Sequence, residues 1–138
     1  MRVALLLVLL GLAPAAALAG PPSPSGPLKA YKGPEGQVVV MILVNDDKQI
    51  LVHFRGLGGE LEARTMLYNV EDLGHDSKNL YETRKRGSKT IRWNVLTERD
   101  GDWQFYHPGK SGTVLRIAYS ESASSSFKIE DVVNAYKP

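Results

Sequence analysis

The chain contains no cysteine. That excludes a disulfide framework, a thiol nucleophile, a cysteine-ligated zinc or iron–sulfur centre and lipid attachment through sulfur. It also lacks a charge excess: the formal net charge is +2 over 138 residues. Without a basic balance there is no whole-protein electrostatic footprint for nucleic acid, and none is expected as a partner. Histidine is scarce. His53, His75 and His107 lie far apart in the chain and form neither an HxH nor an HxxxH spacing, so no metal site and no cofactor are expected. Beyond residue 19 no apolar run reaches the roughly 20 residues needed to cross a bilayer.

What is present begins with an address. Met1-Arg2 is a short positive start, residues 3–12 are apolar apart from Gly11, and small residues follow up to Ala17-Leu18-Ala19. This is the pattern of a secretory signal peptide cleaved after Ala19. Its apolar stretch is too short for a membrane anchor, and Pro14 and the Pro21-Pro22 pair interrupt it. The reading predicts an exported protein, periplasmic or extracellular, with no transmembrane segment in the mature chain. Residues 20–27 read GPPSPSGP, which suits neither a helix nor a central strand and is expected to be a stiff, solvated tether. Residues 28–138 are then a single β-rich domain.

Strand signals dominate that domain. Val38–Val44 is a continuous apolar run rich in β-branched residues, as in a strand buried on both faces or central in a sheet. Residues 50–55 form a second strand, and residues 60–67 alternate as a half-buried third, which would put Glu60 and Glu62 on one solvated face. Residues 70–78 read as a loop or one helical turn. Gly87-Ser88 and Asp100-Gly101 then close two tight hairpins. The first turn sets Arg86 against Lys89, Arg84 against Ile91, Glu82 against Trp93 and Leu80 against Val95. The second sets Arg99 against Asp102, Glu98 against Trp103 and Leu96 against Phe105. Residues 113–119 make a last strand and residues 121–126 a serine-rich loop. Ile129, Val132, Val133 and Tyr136 share one face of a short helix, for which Ser126 is placed to cap the start. The fold class is all-β and mainly antiparallel: a single β-sandwich or small barrel of about seven strands with a short C-terminal helix.

Catalytic signals are weak. Gly109-Lys110-Ser111-Gly112 lacks the glycine spacing of a nucleophile elbow and of a phosphate-binding loop. Two features stand out instead. Arg84, Lys85, Arg86, Lys89 and Arg92 put five cations in nine residues with no acid among them, an anion- or partner-binding tip in one reading and a guard against edge pairing in the other. On the hairpin registers, rings occupy both faces: Trp93 and Tyr106 on one, Tyr81, Trp103 and Phe105 on the other. The second set is either covered by the C-terminal helix or an exposed aromatic surface suited to sugars or peptides. These features point to an exported, non-enzymatic binding or interaction domain of the cell envelope, with a glycan or anionic envelope polymer, or another envelope protein, as partner. The alternatives are a small secreted hydrolase using His75 or His107, and a structural or assembly subunit pairing through an open edge at Val38–Val44.

Overall fold

A computed structural model describes residues 20–108 and 112–138. The expected signal sequence, and three residues of the loop after Pro108, lie outside the described residues. Eight strands close into one antiparallel barrel in sequence order: β1 (Lys29–Lys32), β2 (Val38–Val44), β3 (Gln49–Arg55), β4 (Thr65–Gly74), β5 (Ser77–Arg86), β6 (Lys89–Arg99), β7 (Asp102–Tyr106) and β8 (Val114–Tyr119). Two short helices follow, α1 (Glu121–Ser124) and α2 (Ile129–Ala135). The small barrel is thus the form the all-β chain takes, with eight strands where the pattern suggested about seven. Closure runs through Tyr31 opposite Tyr119 and Lys32 opposite Ala118, so the first and last strands leave no open edge there.

Most positions agree with the alternation of the sequence. Val39 and Met41 of β2 enter the interior with Val52, Phe54, Tyr68, Leu80, Leu96 and Phe105. Their neighbours Val40, Ile42 and Val44 form a second cluster on the outside, with Ala123, Val132, Phe127 and Ile129 of the C-terminal segment. That double burial is why β2 is apolar at every position. The segment is pinned to β1: Ser120 N–H donates to Ala30 O at 2.9 Å, and Ala30 N–H donates to Ser124 Oγ at 2.9 Å.

Four segments differ from the sequence reading. The chain over 59–61 makes a 3-10 turn and β4 begins only at Thr65, so Glu60 and Glu62 do not share a strand face. Glu62 folds back to accept from the N–H groups of Gly58 and Gly56, at 2.9 and 3.1 Å. Residues 70–78 are strand, not loop, because His75 and Asp76 take left-handed φ values of 49° and 51° and turn the chain within two residues. The serine-rich stretch is α1, capped by Ser120, which accepts from Ala123 N–H; α2 starts after Lys128 without a side-chain cap. Ser126 instead donates to the Ser122 carbonyl at 2.9 Å. Finally, residues 20–27 lie against the barrel. Asn45 N–H donates to Ser23 O and Ser25 N–H to Leu43 O, both at 2.8 Å, while Pro24 bridges Val44. Ser23 N–H in turn donates to Asn45 Oδ1 at 3.1 Å, so serines on either side donate where the proline has no N–H, which suits an edge position.

One irregularity governs the rest. The β5–β6 register follows the sequence reading from Arg86 opposite Lys89 to Tyr81 opposite Asn94, then slips: Leu80 faces Leu96, and Val95 is the extra residue of a bulge. A one-residue slip transfers every later side chain to the other face. Val95 and Leu96 are therefore both buried, and Phe105 and Trp103, paired with Leu96 and Glu98, turn inward with Leu80.

Candidate functional site

The bulge also marks where the central hairpin leaves the barrel. β4 pairs with β5 no further than Tyr81, and β7 pairs with β6 no further than Leu96. Among the described residues, 82–94 have strand partners only within this hairpin. They form a two-stranded ribbon running about 17 Å from Glu82 to the tip at 3.3–3.4 Å per residue. Gly87 opens the tip turn with φ 65°, the position glycine takes in a type II′ turn.

All five cations of the sequence cluster sit on this ribbon, but they are not equivalent. Arg84 pairs with Glu82 at 2.5 Å on its own strand. Arg92 is fully engaged at the root: it donates to both oxygens of Glu71 at 2.8 and 3.0 Å and to Asn94 Oδ1 at 3.1 Å. Its guanidinium carbon also lies 3.9 Å from the centre of the Tyr81 ring. Asn79 adds a 2.7 Å bond to Glu71 and accepts from Arg99 at 2.8 Å. Hydrogen bonds from Arg92, and next from Asn79, pull the Glu71 carboxyl down to about 2, and the same contact raises Arg92. Among the described residues no carboxylate pairs with Lys85, Arg86 or Lys89. These three are the cations free to meet an anion.

The aromatic surface is not where the sequence placed it. Trp103 and Phe105 are 5% and 1% exposed, inside the barrel, with Phe105 packed 5.4 Å from Phe54. Tyr81 remains outside, under Arg92. The C-terminal helix does not cover the Trp103 strand: it lies over the outer faces of β2 and β3, where Val40, Ile42 and Leu51 need it. On the ribbon the exposed ring is Trp93, 39% exposed, on the face it shares with Ile91, 40% exposed; Tyr119 on β8 is exposed as well. Trp93 is a wall common to two grooves. One, of about 400 Å³, is lined by Arg84, Lys85, Arg86 and Ile91. The other, of about 410 Å³, is lined by Arg92, Asn94, Thr97, Arg99 and Tyr106. An unbroken register groups Trp93 with Tyr106 on the face opposite Tyr81, Trp103 and Phe105, and so gives no reason to single it out. The signal that points the other way is local: Trp93 is flanked by Arg92 and Asn94, and Ile91 is the only other large apolar residue near the tip.

The histidines are kept apart. His53 lies on the outer face of β3 and is buried, because Phe127 covers it with ring centres 6.1 Å apart. Arg55 Nε donates to His53 Nε2 at 3.3 Å, which leaves Nδ1–H to donate to Thr65 Oγ1 at 2.9 Å. Burial first, and then the Arg55 charge, lower the His53 pKa, with Glu62 opposing. His75 sits in the β4–β5 turn, and His107 follows β7 at the ribbon end, 5.8 Å from Phe105 between ring centres. Among the described residues no three acidic or histidine side chains converge as a metal-ligand group, and no helix is long and apolar enough to cross a membrane. No protein-family model, curated protein or solved structure matches this chain. The ribbon geometry therefore carries the functional argument.

Proposed function

We propose that the protein is an exported, non-enzymatic binding domain of the cell envelope, and that its β5–β6 ribbon holds an anionic glycan-type polymer. The observation that carries this reading is Trp93: an exposed indole between two grooves, with Arg84, Lys85 and Arg86 on one side and Arg92, Asn94 and Arg99 on the other. A flat ring offers a stacking surface to a sugar, and Lys85 and Arg86 beside it offer donors to hydroxyl and acidic groups, while Arg92 and Arg99 are held in place by their own contacts. The free cations at the tip would draw the polymer in, and the closed barrel would hold the ribbon root rigid. The leader pattern over residues 1–19 supports export.

Two observations weigh against the alternatives. His75 and His107 lie at opposite ends of the barrel, so a hydrolase has no histidine pair to work with. Val38–Val44 is paired with β3 along its whole length on one side, and on the other with β1 over Val38–Met41 and with Pro24 at Val44, so it offers no continuous open edge to an assembly partner.

The test is cosedimentation of the mature protein with isolated envelope material at low and high salt. Retention at low salt, weakened at high salt and abolished by Trp93→Ala, is the expected result, since exposed charges are screened while ring stacking is not. No retention at either salt overturns the reading. Retention that survives digestion of the polymer identifies an envelope protein as the partner instead. The mass of the exported product tests the address, with Gly20 expected as its first residue.

A further inference from the structure

The barrel end away from the ribbon contains a second, smaller opening. A cavity of about 110 Å³ is lined by Tyr31, Met41, Leu43, Ile50 and Trp103, with Lys29, Lys78 and Glu98 among its walls. Lys29 stands opposite Met41 and Lys78 opposite Glu98, so the charged groups belong to the same inward-facing rows as the apolar ones. Its walls are apolar where Trp103, Met41 and Ile50 are buried and cationic where Lys29 is exposed. Mouths of small β-barrels are common places for a ligand of this dual character.

We infer that this cavity binds a short-chain monocarboxylate, with the alkyl chain against Trp103 and Met41 and the carboxylate at Lys29 and Lys78. Charge fixes the sign. Lys78 lies 3.4 Å from Glu98, a long pair in which each neutralises the other, and Lys29 has no carboxylate partner among the described residues. The walls therefore carry one uncompensated positive charge, which favours a monoanion and disfavours an amine. Donors add to this. The Trp103 indole N–H is buried and has no hydrogen-bond acceptor in acceptable geometry among the described residues, a state that costs free energy unless an acceptor arrives. It lies near enough to the Tyr31 phenol to influence its ionisation but outside hydrogen-bond geometry. Size selects the chain length. An apolar cavity of about 150 Å³ takes up the six carbons of benzene, so this space of about 110 Å³ suits about four non-hydrogen atoms, enough for the alkyl chain of butyrate with its carboxylate at the open, cationic rim.

The experiment follows the methyl groups of Met41 and Met66 by carbon–proton correlation NMR of the mature protein while sodium butyrate is added at constant ionic strength. Met41 lines the cavity; Met66 packs against the core elsewhere. The expected result is a saturable shift at Met41 with Met66 unmoved. Butan-1-ol should bind about tenfold more weakly, since it lacks the charge-assisted contact. Lys29→Gln, an exposed change that leaves the core intact, should weaken butyrate to the level of the alcohol. Absence of a saturable Met41 shift overturns the inference, and so does equal affinity for acid and alcohol, which would mean an apolar void only. Arg86→Glu lies at the far end and should leave butyrate binding unchanged, so failure here and failure of the ribbon reading are separately visible.

Discussion

Arg92 grips Glu71 with two near-parallel hydrogen bonds, of 2.8 and 3.0 Å, and so fastens the root of the ribbon to β4. The pair lies where β5 leaves its last β4 partner at Tyr81. Because the folded-state pKa of Glu71 is depressed to about 2, the contact is fully present above the ordinary carboxylate range and is lost only as pH falls through about 2. Carbon-detected titration should therefore show Glu71 still ionised at pH 3. In Arg92→Gln its midpoint should return towards about 4.3, the value of an unperturbed glutamate. A wild-type midpoint in the ordinary range would show that the grip does not form in solution.

The two tryptophans should behave as opposites. In single-tryptophan variants, Trp93 should be quenched by iodide far more than by caesium, and the contrast should fade at high salt, because cations surround an exposed ring. Trp103 should resist both ions. Trp103→Ala should cost about 3–5 kcal/mol in denaturant titrations, as expected for a large core ring. Trp93→Ala should stay within about 1 kcal/mol. Equal quenching of both rings would contradict the inward turn imposed by the bulge.

At the tip, Arg86 and Lys89 stand directly opposite each other as like charges. Lys89→Glu turns that repulsion into an attraction, and should leave the melting temperature unchanged or raise it, by the equivalent of about 0.2–1 kcal/mol. Retention on envelope material at low salt should nevertheless fall. Stability and binding moving in opposite directions is the signature of a functional cation. If retention is untouched, the tip cations only guard the ribbon edges.

His53 predicts a response to mild acid. Its folded-state pKa is lowered, so the unfolded chain takes up a proton first, near the ordinary histidine value of about 6.5. Stability is therefore complete above that value and declines as pH falls through the folded-state pKa. Protonation also replaces the Arg55–His53 hydrogen bond by two adjacent cations, with Glu62 as the opposing charge, beneath Phe127. Denaturant titrations at pH 8 and pH 5 should show a smaller difference for His53→Gln than for the wild type. An unchanged difference would place the acid response elsewhere.

Local chemistry carried much of this architecture into the sequence. Gly87-Ser88 and Asp100-Gly101 supply residues that accept positive φ in a two-residue turn, and each dictates a register by adjacency alone. The pairs from Arg86–Lys89 to Tyr81–Asn94, and Arg99–Asp102 to Leu96–Phe105, follow directly. The helix formed by Ile129, Val132 and Val133 and the double burial of β2 were legible for the same reason, since periodicity reports how many faces of an element are covered. The His75-Asp76 turn was not, because neither residue is a glycine and the left-handed turn is held within the completed hairpin.

The two hairpin registers, read without a bulge, disagree about which face is buried: one turns Leu80 and Val95 inward, the other sends Leu96, Phe105 and Trp103 the opposite way, and the first holds only as far as Tyr81–Asn94. A linear pattern cannot resolve this, because inserting one unpaired residue has no mark in composition or spacing. Closure of the barrel resolves it. Interior volume must be filled by both sets at once, so the chain bulges at Val95 and buries Val95 and Leu96 together. The sequence by itself determined most of the strands, the Gly87-Ser88 and Asp100-Gly101 turns and the cationic tip. Only the tertiary structure decided that Trp103 belongs to the core and Trp93 to the surface, because a side chain's face is set by the closed sheet and not by its neighbours in the chain.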